Sequence, residues 1–151
     1  MHQSPKRFLK VAGPKVSGAW NLHIQTKDLP LDFFVLFSSV ASIIGSPGQS
    51  NYAAANAFMD GLAHHRKHQG LVATSINWGP WSDVGMAASD VVLQLLMKDG
   101  WQPMNASQGC DFIGHLLKVC KLPQAAVLPV DWRQFAASVP GAVNWNILGH
   151  I

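Results

Sequence analysis

Three side chains in this sequence have the types needed to deliver a proton to an oxygen atom: the phenol of Tyr52, the ammonium of Lys15 and the hydroxyl of Ser39. Tyr52 is the single tyrosine and stands in Ser50-Asn51-Tyr52-Ala53-Ala54-Ala55-Asn56. A phenol with an ordinary pKa of about 10 is a poor acid at neutral pH, so its anion needs a neighbouring cation and a hydrogen-bonding hydroxyl. Lys15 can supply the first. Ser39, at the end of Phe34-Val35-Leu36-Phe37-Ser38-Ser39, can supply the second. The chemistry of such a set is protonation of a carbonyl oxygen. Asn56 follows Tyr52 by four residues and on a helix shares its face.

Elements of alternating type must position these groups. Apolar residues from about Ser4 to Thr26 recur at helical intervals, and Gly13-Pro14 is expected to bend or break that helix just before Lys15, aiming it into the site. Leu31 to Phe37 reads as a short strand buried on both faces, as parallel sheets require, whose end delivers Ser39. Gly45-Ser46-Pro47-Gly48 forms a loop. Ser50 or Asn51 is expected to cap a helix running to about His68, which Gly70 ends. Val72 to Trp78 is the next parallel strand, and its C-terminal end is where ligands bind in open α/β sheets. Helices are expected over about Ala87 to Asp99 and Ser107 to Cys120, with a last strand from Ala126 to Pro129. From Phe135 onward the chain reads as a weakly structured tail.

Several ordered blocks carry a resemblance. They are Pro14-Lys15-Val16-Ser17-Gly18-Ala19, Phe34 to Ser39, Gly48 to Asn56, Ser75-Ile76-Asn77-Trp78-Gly79-Pro80-Trp81 and Val84-Gly85-Met86, with an echo at Ala126 to Trp132. At this spacing the sequence resembles the ketoreductase domains of modular polyketide synthases, a branch of the short-chain dehydrogenase/reductase superfamily. That superfamily usually places its lysine four residues after the tyrosine. Here that position is Asn56, and the exchange with an upstream lysine marks the polyketide branch.

The resemblance implies an α/β fold, the C-terminal part of a doubly wound parallel-sheet, Rossmann-like domain. It implies Lys15, Ser39, Tyr52 and Asn56 as catalytic residues. Ser39 would hold the carbonyl oxygen, Tyr52 would protonate it, Lys15 would lower the tyrosine pKa and touch the cofactor ribose, and Asn56 would position the lysine or a water. NADPH is the implied cofactor, met by Ser38, Tyr52, Lys15, Trp78, Gly79, Pro80 and Trp81, although the two tryptophans serve equally well as core aromatics. The implied substrate is a 3-ketoacyl chain on the phosphopantetheine arm of an acyl carrier protein, approached by Pro47, Gln49, Asn51 and Met86. The helix from about Ala87 resembles the substrate lid. Ile44 stands where a tryptophan marks one stereochemical class, whereas Pro47 and Asn51 match the B-type class, which forms a D-configured 3-hydroxyl.

One part of the family pattern is absent from the sequence. A dinucleotide-binding fold opens with a strand, a Gly-x-Gly-x-x-Gly turn and a helix whose N-terminus receives the pyrophosphate, and no glycine group here fits. The expectation is therefore a C-terminal catalytic half, residues 1–135, followed by a tail or linker over 136–151. Its partner would be the missing N-terminal ketoreductase half. A non-catalytic structural remnant, or a truncated gene product, is the alternative.

Composition bears on partners. Of 151 residues 48% are apolar and only 13% charged, against about 25% charged in an average domain, so part of this surface is expected to be covered by other protein and the chain alone to dissolve poorly. A net charge of +3, without aromatics interleaved among Lys6, Arg7, Lys10 and Lys15, argues against nucleic acid. No run is long enough for a membrane span, no secretory apolar core follows Met1, and the cytoplasm is the expected location. Cys110 and Cys120 read as core residues in a reducing compartment. His64 and His68 share a helical face but lack a third ligand, so no metal is expected and the helix dipole accounts for them.

Overall fold

The computed structural model describes residues 3–85, 89–119 and 121–139. Helix α1 (Pro5–Ala12) starts at Ser4, whose side chain accepts from the Arg7 N–H, with proline at the first helical position, where its missing donor costs nothing. Of the bend or break expected at Gly13-Pro14, the break does not occur. A π-helical segment (Gly13–Ser17) follows, and α2 (Gly18–Thr26) continues from it. The Gly18 N–H donates to the Gly13 carbonyl, five residues back. Proline lacks a donor and crowds the preceding turn, and the wider π turn absorbs both defects without ending the helix.

Strand β1 spans Val35–Ser39, four residues beyond the expected start, and short α3 (Ala41–Ile44) follows. Helix α4 (Ser50–His68) has Gln49 as its N-cap, with no side-chain capping bond, instead of Ser50 or Asn51. Gly70, at φ +74°, supplies the left-handed conformation that closes it. Strand β2 (Thr74–Trp78), α5 (Asp90–Lys98), α6 (Ala106–Val119), β3 (Gln124–Val127) and α7 (Trp132–Ser138) complete the order. The three strands form one parallel sheet in the order β1-β2-β3, as the α/β reading expects. Among the described residues no helix is long and apolar enough to cross a membrane.

Two compact units are distinguished: residues 1–78 with 117–127, and residues 79–116 with 128–151. The first holds the sheet, and its core gathers Ala19, Leu36, Met59, Leu62, Ala63 and Ala73. Burying one such Leu or Met contributes about 1.5–3 kcal/mol. Strand β1 is buried on one face only: Leu36 and Ser38 point inward, whereas Phe37 is 50% exposed. Side chains alternate along a strand, and the Phe37 row lies on the outer strand of the sheet.

In the second unit α6 opens with a reciprocal cap, in which Asn105 Oδ1 accepts from Gln108 N–H and Gln108 Oε1 from Asn105 N–H, both at 2.9 Å. Cys110 on this helix is exposed, not core, and Cys120 lies outside the described residues. Helix α7 corrects the expectation of a loose tail for Phe135 to Ser138, and the rest of that tail, 140–151, lies outside the described residues. Asp131 caps it by accepting from the Arg133 and Gln134 N–H groups. Phe135 is buried against Trp101 and Trp132, ring centroids 5.5 and 5.9 Å away.

Candidate active site

Lys15 lies within the π segment, half-buried, and links two elements that carry the other candidates. Its Nζ donates to Phe37 O of β1 at 3.0 Å and to Asn56 Oδ1 of α4 at 2.9 Å. The same ammonium stands 5.3 Å from the centroid of the Tyr52 ring. Burial pulls the Lys15 pKa below the ordinary lysine value, and the Asp60 carboxylate opposes that shift. A cation beside a phenol favours the phenol's anion.

The geometry follows from α4. Tyr52 and Asn56 are four residues apart and share a helical face; the Asn56 Nδ2 donates to the Tyr52 carbonyl at 2.8 Å, which turns its Oδ1 toward Lys15. Asn56 is fully buried.

Neighbours at the end of β1 diverge. The Ser38 hydroxyl donates to Asn56 O at 3.3 Å and accepts from Asn77 Nδ2 at 3.1 Å. The Ser39 hydroxyl accepts from Ala41 N–H at 3.2 Å, and its carbonyl lies 2.8 Å from the Ser42 hydroxyl, which shares its one hydrogen between this carbonyl and Asp60 Oδ2. A main-chain bond from Val40 N–H to Trp78 O, 2.9 Å, ties the two strand ends together.

Residues expected on the substrate and cofactor sides are placed variously. Asn51 ties α4 to the chain's start, donating to Arg7 O at 3.1 Å and accepting from Gln3 Nε2 at 3.3 Å. Gln49 Oε1 accepts from the Ser46 hydroxyl at 3.0 Å, and Pro47 is exposed beside them. Trp78 is buried, its ring centroid 5.6 Å from that of Phe37. Gly79, Pro80 and Trp81 belong to the second unit. There Pro80 O accepts from Met104 N–H at 3.2 Å, and the Trp81 ring lies so close over Gly109 that a Cβ at 109 would sit 2.1 Å from its Cη2. Met86 lies outside the described residues.

Sequence reasoning missed a polar group behind these residues, made of the buried Asp60, Asn77 and Ser75 with the half-buried Ser42 and Gln124. One signal was present: Tyr52, Asn56 and Asp60 follow at four-residue steps along one helix. Of the histidines, His64 meets Gln124 Oε1 at 3.2 Å, and His65 packs edge-on against His23. Among the described residues no group of three or more His, Cys, Asp or Glu is placed to hold a metal ion.

Known proteins share this arrangement of elements. The chain is 38% identical to a solved A-type ketoreductase from a modular polyketide synthase, with a TM-score of 0.85 over 93% of this chain and 30% of that one. The first ketoreductase of the tylosin synthase gives 42% and 0.78 over 89% and 30%. Among curated proteins, polyketide synthase GfsA of Streptomyces halstedii is 42% identical over 92% of this chain. Phthioceranic/hydroxyphthioceranic acid synthase of Mycobacterium bovis is 61% identical over 70% of it. The chain spans only 2% and 5% of the lengths of those two synthases. The family model of the KR domain matches residues 1–83, more than half of the sequence. The three-stranded parallel sheet and the order of its elements thus have a known setting, and the chain belongs to the ketoreductase (KR) domain family of polyketide synthases, of which it represents a part.

Proposed function

We propose that this chain is the catalytic half of an NADPH-dependent β-ketoacyl reductase of a polyketide or fatty-acid synthase, acting on a 3-ketoacyl thioester carried by an acyl carrier protein. One observation carries the reading: the Lys15 ammonium is fixed by Phe37 O and Asn56 Oδ1 beside the Tyr52 ring.

The donor set fits a nicotinamide dinucleotide. Lys15 commits two N–H donors to Phe37 and Asn56, and its third suits a ribose hydroxyl. When bound, the dinucleotide supplies the hydride. Tyr52 gives its phenolic proton to the carbonyl oxygen as charge develops there, and the Ser39 O–H donates a hydrogen bond to the same oxygen. Lys15 stabilises the resulting phenolate, and Asn56 holds Lys15. Ser38, Trp78, Gly79, Pro80 and Trp81 are assigned to the cofactor side and Pro47, Gln49, Asn51 and Met86 to the substrate side. Pro47 and Asn51 favour the B-type outcome, a D-configured 3-hydroxyl.

The sequence contains no glycine-rich dinucleotide turn, so the pyrophosphate is assigned to a separate nucleotide-binding half. Support comes from the outer position of β1 in the sheet and from the exposure of Leu9, Leu22, Phe33 and Phe37 in the same unit. An open strand edge and exposed apolar side chains are ready sites for strand pairing and apolar burial.

The test is NADPH oxidation with a 3-ketoacyl thioester, for the chain alone and mixed with a matching nucleotide-binding half. Turnover in the mixture, lost in Tyr52→Phe, is expected, with the D-3-hydroxyacyl product on chiral analysis. Equal turnover by Tyr52→Phe overturns the assigned acid, and an L product overturns the B-type assignment. A folded mixture without turnover favours the non-catalytic remnant.

A further inference from the structure

We propose that Asp60 is a positioning residue of this site, a buried carboxylate that ties the ends of β1 and β2 to α4 and balances the charge of Lys15. The inference rests on the reductase reading above and adds a residue that reading does not use.

Asp60 stands one turn beyond Asn56 on α4 and is 7% exposed. Its Oδ1 accepts from the Ser75 hydroxyl at 2.6 Å; its Oδ2 accepts from the Ser42 hydroxyl at 2.6 Å and from Asn77 Nδ2 at 3.0 Å. Hydroxyl bonds this short are those of an ionised acceptor. All three partners are neutral, so they satisfy the oxygens without cancelling the charge. Desolvating a carboxylate is costly unless donors and a counter-charge replace water.

The network leads from Asp60 to the site. Asn77 Nδ2 also reaches Ser38 Oγ at 3.1 Å, Ser42 Oγ at 2.8 Å and Ser39 O at 3.3 Å, sharing its two hydrogens among these acceptors. Gln124 Nε2 donates to Asn77 Oδ1 at 3.0 Å and holds the amide in this orientation. Ser38 in turn donates to Asn56 O, and Asn56 Oδ1 receives Lys15. A chain of hydrogen bonds thus connects carboxylate, both strand ends and ammonium.

The electrostatic arrangement is equally specific. Strand β1 carries no ionisable side chain; α4 brings Tyr52 and Asp60 and, toward its C-terminus, His64, His65, Arg66, Lys67 and His68; α1 brings the exposed cations Lys6, Arg7 and Lys10, and α2 brings His23. Asp60 is the anion acting on Lys15, and it raises the pKa that burial lowers. Without it the buried amine would lose its proton more readily and support a phenolate less well.

The experiment is an NMR titration of the whole chain, labelled with 13C in lysine and aspartate, comparing the native sequence with Asp60→Asn and Ser75→Ala. Asp60→Asn removes the charge and is expected to move the Lys15 midpoint down, whereas Ser75→Ala breaks a bond to the carboxylate, keeps the charge and leaves the midpoint in place. In the native chain the Asp60 carboxyl resonance is expected to shift as Lys15 deprotonates, which tests the coupling even if Asp60→Asn fails to fold. An unchanged Lys15 midpoint in Asp60→Asn, an equal fall in Ser75→Ala, or a flat Asp60 resonance overturns the proposal. The titration needs neither cofactor nor turnover, so its failure leaves the reductase reading standing, and absence of reductase activity leaves the titration interpretable.

Discussion

Arg66 Nη1 donates to His23 Nδ1 across 3.2 Å inside the core of the first unit. An imidazole nitrogen that accepts a hydrogen bond must be unprotonated, so the contact requires a neutral His23. Arg66 is itself buried, stacked 3.9 Å over the Phe34 ring and bonded through Nε to Val72 O at 3.1 Å. Burial, then Arg66, His65 and Lys27, lower the His23 pKa below its ordinary value of 6.5.

Stability should therefore fall in acid. The unfolded chain takes up its histidine proton near pH 6.5, whereas folded His23 resists protonation to a lower pH. Where the unfolded state binds more protons, stability rises with pH. The contribution is complete above about pH 6.5 and is lost as pH falls through the folded value. Urea midpoints between pH 7.5 and 5 should decline in the native chain and decline less in His23→Gln. Equal slopes would remove His23 as the cause.

Asn56→Ala should cost about 1–3 kcal/mol, the penalty for leaving buried polar partners unmade. The variant strips the Lys15 ammonium and the Tyr52 carbonyl of a fixed amide. Urea denaturation gives the stability loss. Peptide mapping after brief amine acetylation should show faster modification of Lys15, and an unchanged rate would show that Asn56 does not hold it.

Two glycines should respond oppositely to alanine. Gly61 lies inside α4, and a Cβ there meets nothing within 4 Å, so Gly61→Ala should stabilise by about 0.5–1 kcal/mol through reduced freedom of the unfolded chain. Gly100 has φ +84°, and a Cβ there would stand 2.6 Å from Asp131 O and 2.9 Å from Phe135 N, both backbone atoms. Strain and overpacking together should cost about 2–4 kcal/mol in Gly100→Ala. Thermal unfolding of both variants checks the signs.

Phe33 is 61% exposed and Phe37 50%. Phe33→Lys should lower light scattering by the isolated chain while leaving the unfolding free energy within about 0.5 kcal/mol. Unaltered scattering would place the sticky surface elsewhere.

What the sequence made legible was local. Tyr52 and Asn56 on a helix ended by Gly70 follow from spacing and turn chemistry, and the parallel three-stranded sheet from alternating apolar runs. Strand β1 was misplaced because Leu31 to Phe34 is as apolar as Val35 to Phe37, and apolarity alone does not say where pairing begins. Its polar end, Ser38 and Ser39, lies within the strand because Asn77 and Asn56 satisfy it. The Asp60 group stayed hidden for a related reason: Ser42, Asn77 and Ser75 lie 15 to 18 residues from Asp60, and no local pattern marks such partners. Phe135 looked like tail because its burial depends on Trp101, remote in sequence.

The wide turn around Lys15 also acts as a spacer. Each residue advances an α-helix by about 100°, so a five-residue hydrogen-bonded step from Gly13 to Gly18 shifts the phase of α2 against α1 by one position. After the step Ala19 and His23 face into the core. Loss of a single codon between 13 and 17 would let the helix rewind to an even pitch with both halves keeping their faces, and the change would fall on the extra residue's neighbourhood, where Lys15 stands.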